Sequence, residues 1–234
     1  MCGRFLLTAP ATQLSGLFQF SLPADDGAAL APRYNIAPSQ SVATVRSEPD
    51  GGGRELAVVR WGLVPAWAKD RAAGQGLMNA CSETAAVKPS FRDAFRKRRC
   101  LVLADGFYEW KRGSGKKKQP FAIRLWDGSP FAFAGLWERW QGADGQPVES
   151  CAILTTEANE LVKPIHDRMP VILRPEHYGP WLDPSLHQVD VLQPMLVPFD
   201  ATALTLFPVN PWVNDARHEG PRCLERIDPE PSLF

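Results

Sequence analysis

Between Cys100 and Thr155 the chain alternates short apolar runs with Asp-Gly pairs, and no other stretch limits the fold as much. Residues 101–104, 107–111, 120–126, 131–137 and 148–155 have the length and the β-branched or aromatic content of strands. Asp105-Gly106, Asp127-Gly128 and Asp144-Gly145 punctuate them, and Asp-Gly suits the positive-φ positions of a tight reversal. Upstream, 41–45 and 55–61 predict a hairpin around Asp50-Gly51-Gly52-Gly53, and 1–7 predicts an opening strand. A helix is expected to start in Thr8-Ala9-Pro10-Ala11, with Pro10 near its first turn and Leu14, Leu17 and Phe18 at helical spacing. Short helices are expected over 82–87 and over 90–98 with Ser90 as N-cap, and another over 156–162, closed by Pro164. Strands at 169–173 and 201–207 and helical pieces near 176–182 and 190–196 follow. Strands joined by short turns, with helices inserted rather than alternating, predict an α+β fold with a largely antiparallel sheet.

With 234 residues the chain is long enough for a sizeable core, and it contains no repeat and no linker that would divide it. It reads as one domain over 1–234, with 220–234 as a loose tail. The 26 basic and 26 acidic residues balance, so any polyanion site must be local. Five cysteines at wide spacing, without a C-x-x-C pair, argue against a disulfide framework and a zinc ribbon. No metal or cofactor is expected. A reduced, cytoplasmic setting fits, and neither a signal peptide nor a membrane span is apparent.

The chain opens Met1-Cys2-Gly3-Arg4-Phe5. Removal of an initiator Met before a small residue makes Cys2 a terminal aminothiol. Such a pair condenses with an aldehyde to an imine and then closes a thiazolidine ring. The alternative is that Cys2 is a small buried apolar residue. Glu109 stands in Asp105-Gly106-Phe107-Tyr108-Glu109-Trp110, on the strand face of Phe107 and Lys111. A carboxylate among aromatics is desolvated and its pKa rises toward the proton-transfer range, unless Glu109 is instead an edge residue paired with Lys111. His166, in Pro164-Ile165-His166-Asp167-Arg168-Met169-Pro170, occupies a junction loop of the kind that holds functional side chains. Asn79 precedes a helix, where an Asx turn or cap is the simplest role. Basic residues cluster around Arg92, Arg96, Lys97, Arg98 and Arg99, and again from Lys111 to Lys118. With Trp61 and Trp67 on an irregular segment, they describe either a solvated face or a groove for single-stranded nucleic acid.

In combination these stretches resemble the SOS-response-associated peptidase (SRAP) family. The resemblance rests on Met1-Cys2-Gly3-Arg4-Phe5, Arg33-Tyr34-Asn35-Ile36-Ala37-Pro38, Trp61-Gly62-Leu63-Val64-Pro65 and Asn79-Ala80 with Ser82-Glu83-Thr84. It continues through Lys88-Pro89-Ser90-Phe91, Ala104-Asp105-Gly106-Phe107-Tyr108-Glu109-Trp110, Leu154-Thr155-Thr156 and Pro164-Ile165-His166-Asp167-Arg168-Met169-Pro170, down to Val213-Asn214.

The resemblance implies a mixed sheet curled into a barrel-like core with flanking short helices. It implies that Cys2, freed of Met1, bonds covalently to the aldehyde of an abasic site in single-stranded DNA, with possible lyase-type and Met1-removing peptidase activity. Asn79, Glu109 and His166 match the family's other active-site residues. Arg4 and Arg168 match residues near the DNA, to which Trp61, Trp67, Arg92 and Arg98 are added as DNA-binding candidates. A monomer that joins the nucleoid when bound to DNA is expected. Cys81 departs from the family, which usually has arginine there, so a phosphate contact is missing unless Arg92, Arg98 or Arg99 replaces it. The rival functions are an N-terminal-nucleophile hydrolase and a non-catalytic single-strand binding protein.

Overall fold

The computed structural model describes residues 2–22, 30–48, 52–74, 76–112, 118–142 and 145–228. Met1, part of the 50–53 turn, the 113–117 stretch of the basic loop, Asp144 and the last six residues of the expected tail lie outside that set. In chain order the strands are β1 (Phe5–Leu7), β2 (Arg33–Ile36), β3 (Ser41–Ser47), β4 (Arg54–Trp61), β5 (Asn79–Cys81), β6 (Arg99–Ala104) and β7 (Gly106–Arg112). They continue as β8 (Lys118–Leu125), β9 (Phe131–Gln141), β10 (Pro147–Glu157), β11 (Arg168–Pro170), β12 (Ile172–Leu173) and β13 (Leu204–Pro208). The α-helices are short: α1 (Ala11–Phe18), α2 (Ser82–Ala85), α3 (Arg92–Lys97), α4 (Tyr178–Leu182) and α5 (Val189–Leu192).

Following the pairings β10–β4, β4–β3, β3–β6, β6–β9 and β9–β10 returns to the starting strand, so these five strands close a barrel. Only β10–β4 within the ring is parallel. Closure leaves no open edge in the ring, and the strands that extend it, β5 and β11 on β10 and β12 on β9, add at its ends. Aromatic side chains fill the space between the barrel and the second sheet. Phe133 of β9 meets Phe5 edge-on at 5.8 Å and Phe107 at 6.1 Å, and Phe5 meets Trp61 at 5.1 Å. Each such pair adds about 0.5–1.5 kcal/mol beyond the area it buries. Gly135 is small because the wall is close: a Cβ there would lie 2.7 Å from the Cys100 sulfur and 2.8 Å from Val102 Cγ2.

The second sheet runs β13-β8-β7-β1-β2 and is antiparallel throughout. Strand alternation gives it two buried faces. Phe5, Phe107 and Ile123 face the main core, while Leu6, Tyr108 and Ala122 pack on Val209, Val213 and Cys223. The C-terminal segment expected to be loose therefore has work to do as far as it is described. Pro221–Leu224 form a 3-10 turn, Cys223 is fully buried, and Arg226 bridges to Val209.

The antiparallel expectation and the 41–61 hairpin are observed, with Ser41 opposite Arg60 and Ser47 opposite Arg54. Other expectations are corrected. Of the three Asp-Gly signals between Cys100 and Thr155, the last lies between the strands of a hairpin, β9–β10, with Pro147 opposite Gln141. Asp105-Gly106 and Asp127-Gly128 instead carry the chain from one sheet to the other, β6 to β7 and β8 to β9. At the first crossing the buried Asp105 carboxylate accepts from the Thr8 N–H at 2.8 Å and the Thr8 hydroxyl at 2.7 Å. Gly106 leaves room for Leu6, whose Cδ2 would be 2.8 Å from a Cβ. The helix expected over 156–162 is absent because β10 continues to Glu157, paired with Arg168 of β11. Beyond it, Asn159 Oδ1 accepts from Val162 N–H at 3.0 Å, closing an Asx turn in place of a helix. Ser90 does not cap α3, whose N-terminal flank is Phe91. Among the described residues no helix is long and apolar enough to cross a membrane, and no His, Cys, Asp or Glu cluster could hold a metal ion. All five cysteines are free thiols.

Candidate active site

The β1–β7 ladder positions the start of the chain. Phe5 lies opposite Phe107 and Leu6 opposite Gly106, and the Tyr108 N–H donates to the Arg4 carbonyl at 3.0 Å. Gly3 and Cys2 lead into this ladder from outside it, and Glu109 of β7 is near enough to act on Cys2 electrostatically. From the other side comes β5, held parallel to β10 with Asn79 beside Ile153. Asn79 Nδ2 donates to the Cys2 carbonyl at 2.7 Å. Its Oδ1 is buried and has no partner among the described residues.

Cys2 is fully buried, as its packing character allowed. Burial, and next the negative charge of Glu109, push the thiol pKa far up, so the group stands as a thiol. Among the described residues its acceptor is the distant Arg4 carbonyl, at 3.8 Å. Glu109 is 4% exposed, so it is not the edge residue that pairing with Lys111 would require. Burial raises its carboxyl from 4.5 to about 7, and the nearby charge of Asp167 acts in the same direction. Through Asp167 the His166 loop is coupled electrostatically to Glu109.

His166 is half-buried at the base of the 158–167 turn, which is closed by Ala158 N–H on the Asp167 carbonyl at 2.9 Å. Its Nδ1 is 3.0 Å from the Arg168 N–H and 2.9 Å from Asp167 Oδ1. These partners require opposite proton states of one nitrogen. The backbone N–H is fixed and the Asp167 side chain is 87% exposed, so Nδ1 is assigned as acceptor and Nε2 as the N–H donor. Arg168 grips Glu83 with both ends, at 2.6 and 2.9 Å, and donates to the Thr155 carbonyl at 2.6 Å. Cys81 lies opposite Thr155, whose carbonyl Arg168 holds, so Cys81 borders the same patch.

Asn79 is thus bonded to Cys2, Glu109 acts electrostatically on Cys2 and is acted on by Asp167, and Arg168 and Cys81 meet at Thr155; these candidates share one region. Other candidates do not. Trp61 is fully buried, with Nε1 bonded to the Met78 carbonyl at 2.8 Å, so it is a core plug and not a surface for bases. Trp67 is 62% exposed on a turn pinned by Ala68, whose carbonyl accepts from Trp140 Nε1 at 2.8 Å. Arg4 turns inward, toward Asn35 and the Val213 carbonyl, with its guanidinium 5.6 Å above the Trp110 ring. Arg92 is exposed beside Asp93, and Arg98 is tied to Glu138 of β9 at 2.6 Å. Arg99 is no replacement phosphate ligand. It is buried and donates to main-chain carbonyls of Phe95, Arg96, Trp181, Asp183 and Leu186, which ties α3 to α4.

Residues that sequence reasoning left without a role also shape the site. Glu83 holds Arg168, Asn214 Oδ1 accepts from Trp110 Nε1 at 2.7 Å, and Asn35 joins Arg4 to the C-terminal segment. Their stretches stood out in the sequence, but their partners lie far away along the chain. Two surface cavities, of 410 and 350 Å³, are lined by other residues and do not reach Cys2.

A family model described as SOS response associated peptidase (SRAP) matches residues 1–216. The chain is 42% identical over 225 residues to the abasic site processing protein YoqW of Bacillus subtilis, across 96% of this chain and 99% of that protein. It is 31% identical over 233 residues to the mouse abasic site processing protein HMCES, across 84% of this chain and 65% of that protein. The crystal structure of a Bacteroides thetaiotaomicron protein superposes with a TM-score of 0.85 at 26% identity, covering 97% of this chain and all of that one. On these grounds the chain belongs to the SOS response associated peptidase (SRAP) family.

Proposed function

We propose that this protein processes abasic sites in single-stranded DNA, capturing the ring-opened aldehyde covalently at Cys2 once Met1 has been removed. The observation that carries the proposal is a carboxyl group with a pKa raised to about 7, buried beside a cysteine that becomes an aminothiol when residue 1 is lost. Relatives named as abasic site processing proteins support the substrate class.

The chemistry follows from the proton states. A terminal α-amine with a pKa of about 7.7–8.0 is partly neutral near pH 7 and attacks the aldehyde carbon. Water leaves and an imine forms. The sulfur then adds to the imine carbon, and the thiol proton ends on the nitrogen. The sum is aldehyde plus aminothiol giving thiazolidine plus water. Because burial keeps Cys2 protonated, the addition needs a nearby base, and a thiolate is the attacking form. Glu109, half-ionised near neutrality, takes the thiol proton and returns it. His166 offers its Nε2 proton to the sugar oxygen. The buried Oδ1 of Asn79 accepts from the amine. Arg168 meets a phosphate by exchanging its bond with Glu83, and Trp67 offers a face on which a base stacks. The same set of proton shuttles serves lyase-type strand chemistry and reversal of the crosslink.

The test mixes Met1-free protein with single-stranded DNA carrying one abasic site and separates the products under denaturing conditions. A band of retarded DNA, lost in Cys2→Ser, is expected. A shift seen only in native gels would place the protein among binding modules. Absence of the band, with release of product from a peptide or amide, would make it a hydrolase.

A further inference from the structure

We propose that Asn35 is a positioning residue for the reacting terminus, acting through Arg4; the inference rests on the aldehyde-capture reading above. Asn35 lies in β2, is 0% exposed, and is 31 residues from Arg4 in sequence. Its Oδ1 accepts from Arg4 NH1 at 2.7 Å. Its Nδ2 donates to the carbonyls of His218 at 2.8 Å and Asp215 at 2.9 Å, with a longer contact to Val213 at 3.3 Å. The amide orientation is settled by these neighbours. Carbonyls demand a donor and a guanidinium demands an acceptor, so the side chain fits one way round. No other side chain of this size supplies both ends, and an aspartate would turn a carboxylate oxygen toward three carbonyls.

The consequence reaches Cys2 through two bonds of chain. Arg4 NH1 also donates to the Val213 carbonyl at 2.8 Å, so both hydrogens of that nitrogen are committed within the protein. Its own carbonyl is fixed by the Tyr108 N–H at 3.0 Å. After Met1 is gone, Cys2 is a chain end, and chain ends fray unless tied down. Asn79 holds the Cys2 carbonyl, and Arg4 is the other tether. Asn35 locks that tether to a C-terminal segment 178 to 183 residues away in sequence, which completes the site from behind. Arg4 NH1 is therefore an anchor within the protein.

The test compares Met1-free parent, Asn35→Ser, Arg4→Met and the double variant. Displacing a reacting group by about 1 Å can slow a reaction ~100-fold, so single-turnover crosslinking at saturating abasic DNA should slow ~10- to 100-fold in each single variant. In Asn35→Ser, affinity for undamaged single-stranded DNA should stay within about twofold, since Asn35 is fully buried and offers nothing to phosphate. The double variant should be no slower than the worse single one, because both remove one tether. Multiplying losses, or a normal rate with a lower reactive fraction, would overturn the proposal and leave Asn35 a stability residue. Hydrogen exchange gives a readout that does not depend on the chemistry. In Asn35→Ser, the amides of Gly3 to Phe5 should exchange faster while β3 and β4 stay protected. Unchanged exchange there would also overturn it. A parent protein that exchanges as expected but never crosslinks would remove the aldehyde-capture reading alone.

Discussion

Asn79 donates its side-chain amide to the main-chain carbonyl of Cys2 at 2.7 Å, which ties a short strand of the barrel's periphery to the start of the chain. The bond puts a directional constraint on the peptide that follows the reacting residue. It also leaves the second end of the amide, Oδ1, buried without a partner among the described residues, which is the end that the proposed chemistry gives to the Cys2 amine.

Replacing Asn79 by leucine keeps the volume and removes both functions. Single-turnover crosslinking by the Met1-free variant is expected to fall ~10- to 100-fold, since a misplaced nucleophile loses that much. Thermal stability should drop by only about 0.5–1.5 kcal/mol, the net worth of one hydrogen bond. Quantified denaturing gels and a melting curve separate the two, and an unchanged rate would take Asn79 out of the site.

Glu109 connects pH to both rate and stability. In the folded protein it keeps its proton up to about pH 7, whereas an unfolded chain ionises it near 4.5. As pH rises through that window, the unfolded state releases the proton first, so stability falls; below the window both states are protonated and the effect vanishes. Glu109→Gln should therefore be more stable than the parent at pH 8, on the order of 2 kcal/mol, and equal to it at pH 4. Denaturant titrations across pH check this. The same variant should lose the inflection near neutrality in the crosslinking rate, and a retained inflection would assign it to another group.

The two tryptophans of the Trp61–Trp67 segment should behave oppositely. Trp61→Ala empties a fully buried position and should cost about 3–5 kcal/mol of stability. Trp67→Ala should leave the melting temperature within error and weaken binding to single-stranded DNA by about 1–3 kcal/mol, the worth of one stacked base. Fluorescence anisotropy and calorimetry on the pair would expose the reverse pattern if Trp67 is merely surface.

Cys81 sits beside Arg168, where one more guanidinium would widen the basic patch. Cys81→Arg should steepen the dependence of log affinity on log salt by about 0.7, one further phosphate contact on a single strand. Identical slopes for parent and variant would show that no phosphate passes there.

Much of the site is local enough to be seen in the sequence. Strand alternation through Phe107, Tyr108, Glu109 and Trp110 already separated a face with Glu109 from a face with Tyr108, and the two faces pack in different clusters. A carboxylate on an aromatic-rich strand is desolvated by its own neighbours, so its raised pKa was legible as well. Trp61 was not legible. Its irregular local sequence allows a surface platform, and it is plugged into the core by Phe5 and the Met78 carbonyl, which arrive from other elements.

The sequence alone determined most of the strand pattern and the α+β class, because side-chain alternation depends on adjacent residues. It did not determine which Asp-Gly pair reverses a strand and which passes it to another sheet, since both begin with the same local backbone preference. The tertiary structure decided that, and it decided the roles of the arginines. Arg4 faces Asn35, 31 residues away, and the Val213 carbonyl, 209 away; Arg99 faces carbonyls more than 80 residues downstream. Burial and hydrogen-bond partners at that separation are set by packing, so a charged residue becomes an anchor or a DNA contact only when the fold closes.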